Sequence, residues 1–510
     1  MNEKTKRKAA IFMKILKIKK LLCLIIIFAL LFLLSCSSSN DGSHSGGKDN
    51  DSLADNPDGD QQGEEAAQNL LYADELPEKN YNGDKFRMLS FTNLDTAHLY
   101  LIIEEQTGEI VNDAIYLSNR LVQDRFNLEF EEIMSDDYNK IPNLLKNSVR
   151  SGDNAYDYIL IADRHAMNLA MEGKYFYNMA ELPHVNLDKL YWDQAAKTDM
   201  SIGNVLYFTY GANMLSSYDF VCFLVFNKQL TAELGLDNIY ELVRNGKWTI
   251  DKMYEMGTAA LKDLDGDGKW TKNDRYGVLC SPNFYYPSFW GAERIPIIAK
   301  DKDDMPYFNV PGNEKLFTLF DKVYDYAQSG VELSEWGSPP DAYRMFTENL
   351  GLFANATMYT VQALRNMEID YGIVPYPSLY EKSPGEPYSA RLCTGLPIVV
   401  PVTSEPERAS VVLEALACEY QKRVIPSYYD VAVQTKSTRD EESVEMLDML
   451  LSNRFVDLGD TVWLDVGRAQ YEGLFTNKKN TFQSVTEKIE TKVANTLEKA
   501  VAAFQEAGGN

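Results

Sequence analysis

Apolar positions divide this 510-residue chain into three parts. An unbroken apolar run at 21–34 comes first, behind the basic residues Lys4, Lys6, Arg7, Lys8, Lys14, Lys17, Lys19 and Lys20. From 37 to 63 Ser, Gly, Asn and Asp prevail, with almost nothing to bury, which predicts a disordered tether. Beyond the turn signal Asn82-Gly83 the pattern becomes that of a folded body. A strand is expected at 85–91. A helical stripe follows at 107–126 (Ile110, Val111, Ala114, Ile115, Leu121, Val122), then a strand at 128–133 and a helix at 139–150. The near-continuous apolar run 156–162 suits a parallel strand buried on both faces. This β-α-β-α-β order predicts a doubly wound α/β sheet with right-handed crossovers.

The run 220–226 opens a second α/β segment, and further strands are expected at 351–358, 369–374 and 396–401. Ser404-Glu405-Pro406-Glu407 has the form of a capping box with proline in the first turn. The last third is helical, with one stripe through Val444, Leu447, Leu450 and Leu451. A second runs through Phe482, Val485, Ile489, Val493, Leu497, Val501 and Phe504. About 430 residues exceed one usual core, so two domains are the default.

The apolar run at 21–34 ends in Leu33-Leu34-Ser35-Cys36. It resembles the bacterial lipoprotein signal, which implies cleavage before Cys36 and lipidation of its thiol. The alternative, a retained anchor helix, needs about 20 apolar residues. The resemblance implies a body working on the extracellular face of the cell membrane, where NAD or ATP chemistry has no place. Met13 is an alternative start.

With 75 acidic against 50 basic residues, the formal net charge is −25, and loss of the basic leader makes it more negative. Such a surface repels nucleic acid and anionic headgroups. Cys222, Cys280, Cys393 and Cys418 lie far apart, without a CxxC, and read as free core thiols, with disulfides as the alternative. The four histidines form no HExxH, and no GxSxG occurs.

The strongest local motif runs from Asp263 to Asp274 (DLDGDGKWTKND). Asp263, Asp265 and Asp267 occupy loop positions 1, 3 and 5, with Gly268 at 6. Lys269 offers a carbonyl at 7, Thr271 falls at 9 and Asp274 at 12. This is EF-hand spacing and predicts a structural Ca2+ clip; three carboxylates this close repel unless a hard cation sits among them. The expected flanks are a helix at 249–261 and a strand at 276–280, not a sensor pair. A solvated acidic turn is the alternative.

Several stretches in order resemble the carbohydrate-binding solute-binding proteins of bacterial ABC importers, the group that includes maltose-binding protein. They are 156–164, Asn227-Lys228, Lys247-Trp248-Thr249, 369–377 (IDYGIVPYP), 396–407 (LPIVVPVTSEPE) and 439–448 (RDEESVEMLD). The resemblance implies a type II, periplasmic-binding-protein-like α/β fold. Two discontinuous lobes are joined by a hinge, with a helical C-terminal region. The expected boundaries are a signal at 1–36 and a tether at 37–81. One lobe takes 82–214 plus 371–422, the other 215–370 plus 423–505, with crossovers near 212–216 and Asp370. A monomeric, lipid-anchored receptor then binds a sugar or oligosaccharide between the lobes, performs no catalysis, and delivers the solute to an ABC permease.

Within that frame Asp163 and Arg164 follow a buried strand, where ligands sit in open α/β sheets. They also match an Asp-Arg pair of the family; a mutual ion pair is the other reading. Tyr210, Tyr285, Tyr286, Trp290, Tyr359 and Trp463 are candidate stacking residues for pyranose faces, two or three of which are expected in the cleft and the rest in the core. Tyr285, Tyr286 and Trp290 are expected in a Pro- and aromatic-rich loop. The competing functions are a secreted carbohydrate-active hydrolase using a carboxylate pair, which no local signature supports, and a surface scaffold, which the alternating α/β pattern disfavours.

Overall fold

A computed structural model describes residues 72–94, 101–334, 340–364, 368, 370–433 and 441–508. Cys36, the signal and most of the expected tether lie outside the described residues.

The strand Asp84–Phe91 (β1) buries four consecutive residues at its carboxyl end, from Met88 to Phe91. It pairs in parallel with Leu128–Ser135 (β2) and Tyr158–Leu160 (β3). The helix Ile110–Phe126 supplies the crossover. The Glu109 side chain caps its first turn by accepting from the Asn112 amide, and Asn127 ends it in the left-handed region at φ 49°. This is the β-α-β-α-β unit expected from the pattern.

The second unit is built on Cys222–Asn227 (β4), Tyr276–Cys280 (β5), Glu332–Ser334 (β8) and Gly351–Thr357 (β9), with a hairpin of Ile298–Lys300 (β6) and Pro306–Phe308 (β7) between them. Every residue of β4, β5 and β9 is buried, as the apolar run at 220–226 predicted for β4. Tyr371–Val374 (β10), Ala390–Arg391 (β11), Ile398–Val399 (β12) and Arg454–Phe455 (β13) complete the strands among the described residues.

Two main sheets result, ordered β12-β3-β1-β2 and β10-β4-β9-β5-β8. Each carries an antiparallel strand reached by crossing between them: β12 against β3 and β4 against β9. The crossing segments meet one another where Val221 bridges Leu392 and the Cys393 amide donates to the Phe220 carbonyl (3.2 Å). β13 lies beside β11, so three strands of the chain run together at this waist.

Sheet membership moves two expected boundaries. β10 belongs to the second sheet, so the return crossing falls between Val374 and Ile398 rather than at Asp370. Residues 422 and 423 sit inside one continuous helix, Pro406–Val433, which packs on Ile110–Phe126 of the first lobe. The helix begins at proline as expected, but the capping box is not formed. The Ser404 hydroxyl has no hydrogen-bond partner among the described residues, and Glu407 pairs with Lys79 at 2.5 Å. Residues 282–292 are a helix rather than a loop: Pro282 stands in its first turn, where a missing N–H costs nothing.

The C-terminal helix, Phe482–Gly508, spans both lobes. Phe482 enters an aromatic cluster with Phe320 (centroids 4.7 Å apart), Phe475 (4.7 Å) and Tyr324. Twenty-two residues on, Phe504 meets Tyr207 edge-on at 5.0 Å, beside the first-lobe helix Asp163–Glu172. The described residues, from 72 to 508, accordingly pack as one compact unit.

Candidate functional site

The carboxyl ends of β1, β2 and β3 point toward the crossing strands, as do those of β5, β9 and β10, so both sheets present the ligand-competent end of an α/β fold to the same waist. Helix starts stand at these ends, Asp163 after β3 and Pro282 after β5.

Asp163 is 1% exposed and spends its carboxylate on the hinge. It accepts from the amides of Gly395 (2.7 Å) and Arg164 (2.7 Å), from the Thr394 hydroxyl (3.3 Å) and from the Tyr210 hydroxyl (3.3 Å). Burial pushes its pKa up to about 6, against the lowering influence of those amides, of Thr394 and of the Arg164 charge. Arg164 does not close an ion pair on Asp163. Its Nη2 donates to the Tyr138 hydroxyl at 2.7 Å, with the guanidinium 5.4 Å from that ring, and Tyr138 stacks on His165 at 5.6 Å. Tyr138, Arg164 and His165 are each partly exposed. Together they form an aromatic and cationic surface of the kind that takes a pyranose face and its hydroxyls.

The expected aromatics divide. Tyr210 is fully buried against the second crossing strand; a Cβ on Gly395 would stand 2.1 Å from its ring. Tyr285 and Tyr286 are fully buried in the second lobe, where Tyr286 donates to Glu332 (2.9 Å) and the Tyr254 and Tyr285 hydroxyls lie 3.0 Å apart. Trp290 packs edge-on against Phe320 at 5.6 Å, and Trp463 is 5% exposed. The Nε1 of both tryptophans lacks a hydrogen-bond partner among the described residues. Tyr359 stands half-buried at the second position of the helix Met358–Leu364. The eight candidates therefore do not share one open surface.

At the second sheet's end, Arg391 is 2% exposed and grips buried Asp460 with two contacts, Nη2 to Oδ1 at 2.8 Å and Nε to Oδ2. Its Nη1 donates to the carbonyl of Phe284 (3.0 Å), and Arg468 Nη1 donates to that of Asn283 (3.3 Å). Sequence reasoning missed Tyr138, His165, Arg391 and Asp460. The rule that selected Asp163, the residues just after a strand's carboxyl end, applied to β2 as well and leads to Tyr138.

A groove of about 780 Å³ lies elsewhere. It runs between Gln194–Asp199 of the first lobe and second-lobe residues including Arg294, Lys382, Glu386 and Arg454, and none of the eight candidates lines it.

In the acidic loop, carboxylate oxygens of Asp263, Asp265 and Asp267 lie within 4.8 Å of one another. Gly266 and Gly268 adopt φ of 74° and 76°, the left-handed region that lets the chain fold round them. Their amides donate to Asp263 at 2.7 and 2.8 Å. Asp274 is 1% exposed and holds the loop's base, accepting from Leu264 N (3.0 Å), Thr271 N (2.7 Å) and Thr271 Oγ1 (3.1 Å). The flanking helix Ile250–Ala260 and strand Tyr276–Cys280 match the expectation.

No helix among the described residues is long and apolar enough to cross a membrane. Neither a protein-family model nor the sequence of a curated protein matches the chain. Solved structures do. The sugar-binding protein of the phytopathogen Xanthomonas citri is 14% identical, with a TM-score of 0.58 over 82% of this chain and 99% of its own. A cyclo/maltodextrin-binding protein complexed with maltotetraose is 15% identical, with a TM-score of 0.53 over 83% and 97%. A family 1 extracellular solute-binding protein from Bifidobacterium longum subsp. infantis is 12% identical, with a TM-score of 0.53 over 81% and 100%. At such identities the likeness is one of architecture: the chain has the type II, periplasmic-binding-protein-like fold of the carbohydrate-binding ABC solute-binding proteins.

Proposed function

We propose that this chain is an extracellular receptor, anchored through lipid at Cys36, that holds a sugar or oligosaccharide between its lobes and passes it unchanged to an ABC permease. The observation that carries the reading is the convergence of both sheets' carboxyl ends on paired crossing strands, with Tyr138, Arg164 and His165 partly exposed at the first sheet's end. In this arrangement Tyr138 supplies a stacking face and Arg164 a charged donor for sugar hydroxyls. Asp163 positions Arg164 by fixing the start of its helix to the second crossing strand. Four of the remaining six candidates act from behind: Tyr210 packs the hinge, while Tyr285, Tyr286 and Trp290 set the position of the Pro282–Ala292 helix. The solved neighbours that bind sugars support the solute class.

The test is binding without turnover. Maltodextrins titrated into the mature chain are expected to give saturable binding and quantitative recovery of intact sugar. Released reducing ends would instead indicate the hydrolase.

We propose further that the Asp263–Asp274 loop holds Ca2+, with Asp263, Asp265 and Asp267 as carboxylate ligands. The clustering of the three oxygens supports this. Asp274 anchors the loop by its hydrogen bonds, and Lys269 and Thr271 complete the expected set through backbone and hydroxyl oxygens. The ion's chemistry there is charge neutralisation: without it, the mutual repulsion of Asp263, Asp265, Asp267 and Asp274 disfavours the fold of the loop.

A further inference from the structure

Cys222 and Cys393 are 171 positions apart in sequence and belong to different crossing strands, yet the structure brings them together. Val221 bridges Leu392, so residues one step beyond that bridge, Cys222 on one strand and Arg391 and Cys393 on the other, project to one face. The two thiols influence one another's ionisation across this shared face, the Cys393 amide donates to the Phe220 carbonyl at 3.2 Å, and Arg391 Nη1 points at the Cys222 sulfur from 3.8 Å. Both sulfurs are reduced in the structure and both residues are 1% exposed. Cys222 is the first residue of β4 and pairs with Thr357 of the second lobe. Cys393 is followed at once by Thr394 and Gly395, which are bound to Asp163 of the first lobe. A link between them therefore joins the two strands at the point where the chain passes between lobes.

We propose that Cys222 and Cys393 are an oxidisable pair, which a disulfide joins across the hinge and so restrains the motion of one lobe against the other. The oxidant is a peroxide, the class of two-electron oxidant available outside the cytoplasmic membrane. Cys222 is the attacking thiol: the Cys393 S–H and the Arg391 guanidinium both stabilise its thiolate against the opposing effect of burial. Its sulfur takes one oxygen from hydrogen peroxide, giving a sulfenic acid and one water. The Cys393 sulfur then attacks the Cys222 sulfur, the S–S bond forms as the S–O bond breaks, and the hydroxyl leaves as a second water with the Cys393 proton. Two thiols and one peroxide become one disulfide and two waters. The strands meet at an isolated bridge rather than a regular ladder, which leaves their spacing free to adjust to the new bond. Cys280 and Cys418 are buried in separate places, Cys280 at the end of β5 and Cys418 in the helix Pro406–Val433, and have no such partner among the described residues.

The inference rests on the two-lobed fold and not on the identity of the solute, so it is tested without sugar. The full chain is treated with hydrogen peroxide under native conditions, alkylated in denaturant, digested and mapped by mass spectrometry. The expected product is one cross-linked peptide pair joining Cys222 to Cys393, with Cys280 and Cys418 alkylated. In the Cys393→Ser variant the cross-link disappears, and dimedone captures a sulfenic acid at Cys222. Alkylation of Cys222, Cys280, Cys393 and Cys418 alike after peroxide, or a cross-link through Cys280 or Cys418, overturns the pairing. Amide hydrogen exchange then reads the hinge: 219–223 and 391–396 are expected to exchange more slowly in the oxidised chain. A cross-linked chain with unchanged exchange there overturns the restraint.

Discussion

Single residues at the waist carry more than their size suggests. Gly395 faces the Tyr210 ring so closely that any side chain must displace it, and the same glycine's amide holds Asp163. Gly395→Ala is therefore expected to lower stability by about 1–3 kcal/mol, the usual cost of overpacking, as read from urea denaturation. A fully stable Gly395→Ala protein would show that the crossing strands are not packed as described. Arg391 and Asp460 form a buried pair with two contacts, Arg468 adds a third at 3.2 Å, and removing Asp460 strands the buried Arg391 charge. Asp460→Ala is expected to destabilise by about 3–5 kcal/mol, again by denaturation. The sequence made Asp163 legible, because it ends an apolar run where an α/β fold places function. It did not reveal that the carboxylate is turned inward to the second crossing strand. That depends on Gly395, 232 residues away. Nor did it reveal Arg391 and Asp460, whose partnership comes from strands far apart in the chain.

At the scale of elements, periodicity identified β1, β2, β3, β4 and β5 and the helix between β1 and β2 nearly to the residue, since each buries a continuous or regularly spaced apolar set. It failed at 282–292. Two prolines and a dense aromatic content read as a loop, yet Pro282 is harmless in the first turn, the Asn283 carbonyl left free by Pro287 inside the helix accepts from Arg468 Nη1 (3.3 Å) instead, and a helix apolar on every side has no stripe to detect. The acidic loop yields a prediction of its own. EDTA is expected to lower the melting temperature and Ca2+ to restore it, by linkage to the folded state. An Asp265→Ala/Asp267→Ala chain is expected to melt low and to ignore both. Equal melting curves with and without EDTA would remove the cation. The C-terminal helix reaches from Phe320 to Tyr207, so Phe504→Ala is expected to loosen its far end while Phe482 keeps the near end docked. Faster amide exchange confined to the last two turns would confirm this, and uniform protection would refute it.

Across the whole molecule the acid balance leads to a pH prediction. Burial raises Asp163 and Asp199 to about 6, and Glu414 and Asp457 to about 7, with Asp460's charge adding to the last. Each holds its proton in the folded chain at a pH where the unfolded carboxyl has lost it. The folded state then binds more protons between about pH 4 and pH 7, and stability falls as pH rises through that window. A net charge of −25 adds self-repulsion in the same direction. The melting temperature is expected to be higher at pH 5.5 than at pH 7.5; the reverse order would mean these carboxyls are ionised in the fold. The two-lobed plan was readable from the alternation of elements and the order of motifs. The place where each lobe ends was not, because β10, which begins at Tyr371, joins the second sheet, and the helix Pro406–Val433 runs through the expected division at 422 and 423.

The account stands or falls on solute held at the sheets' converging ends. The most direct measurement is isothermal titration calorimetry of the mature chain against a maltodextrin panel, repeated with Arg164→Ala and with Glu386→Gln in the separate 780 Å³ groove. The predicted result is single-site binding that Arg164→Ala weakens by about 1.5–3 kcal/mol, as expected for a lost hydrogen bond from a charged donor, and that Glu386→Gln leaves unchanged. Binding that ignores Arg164→Ala but is lost with Glu386→Gln, or no heat with any sugar, would contradict it.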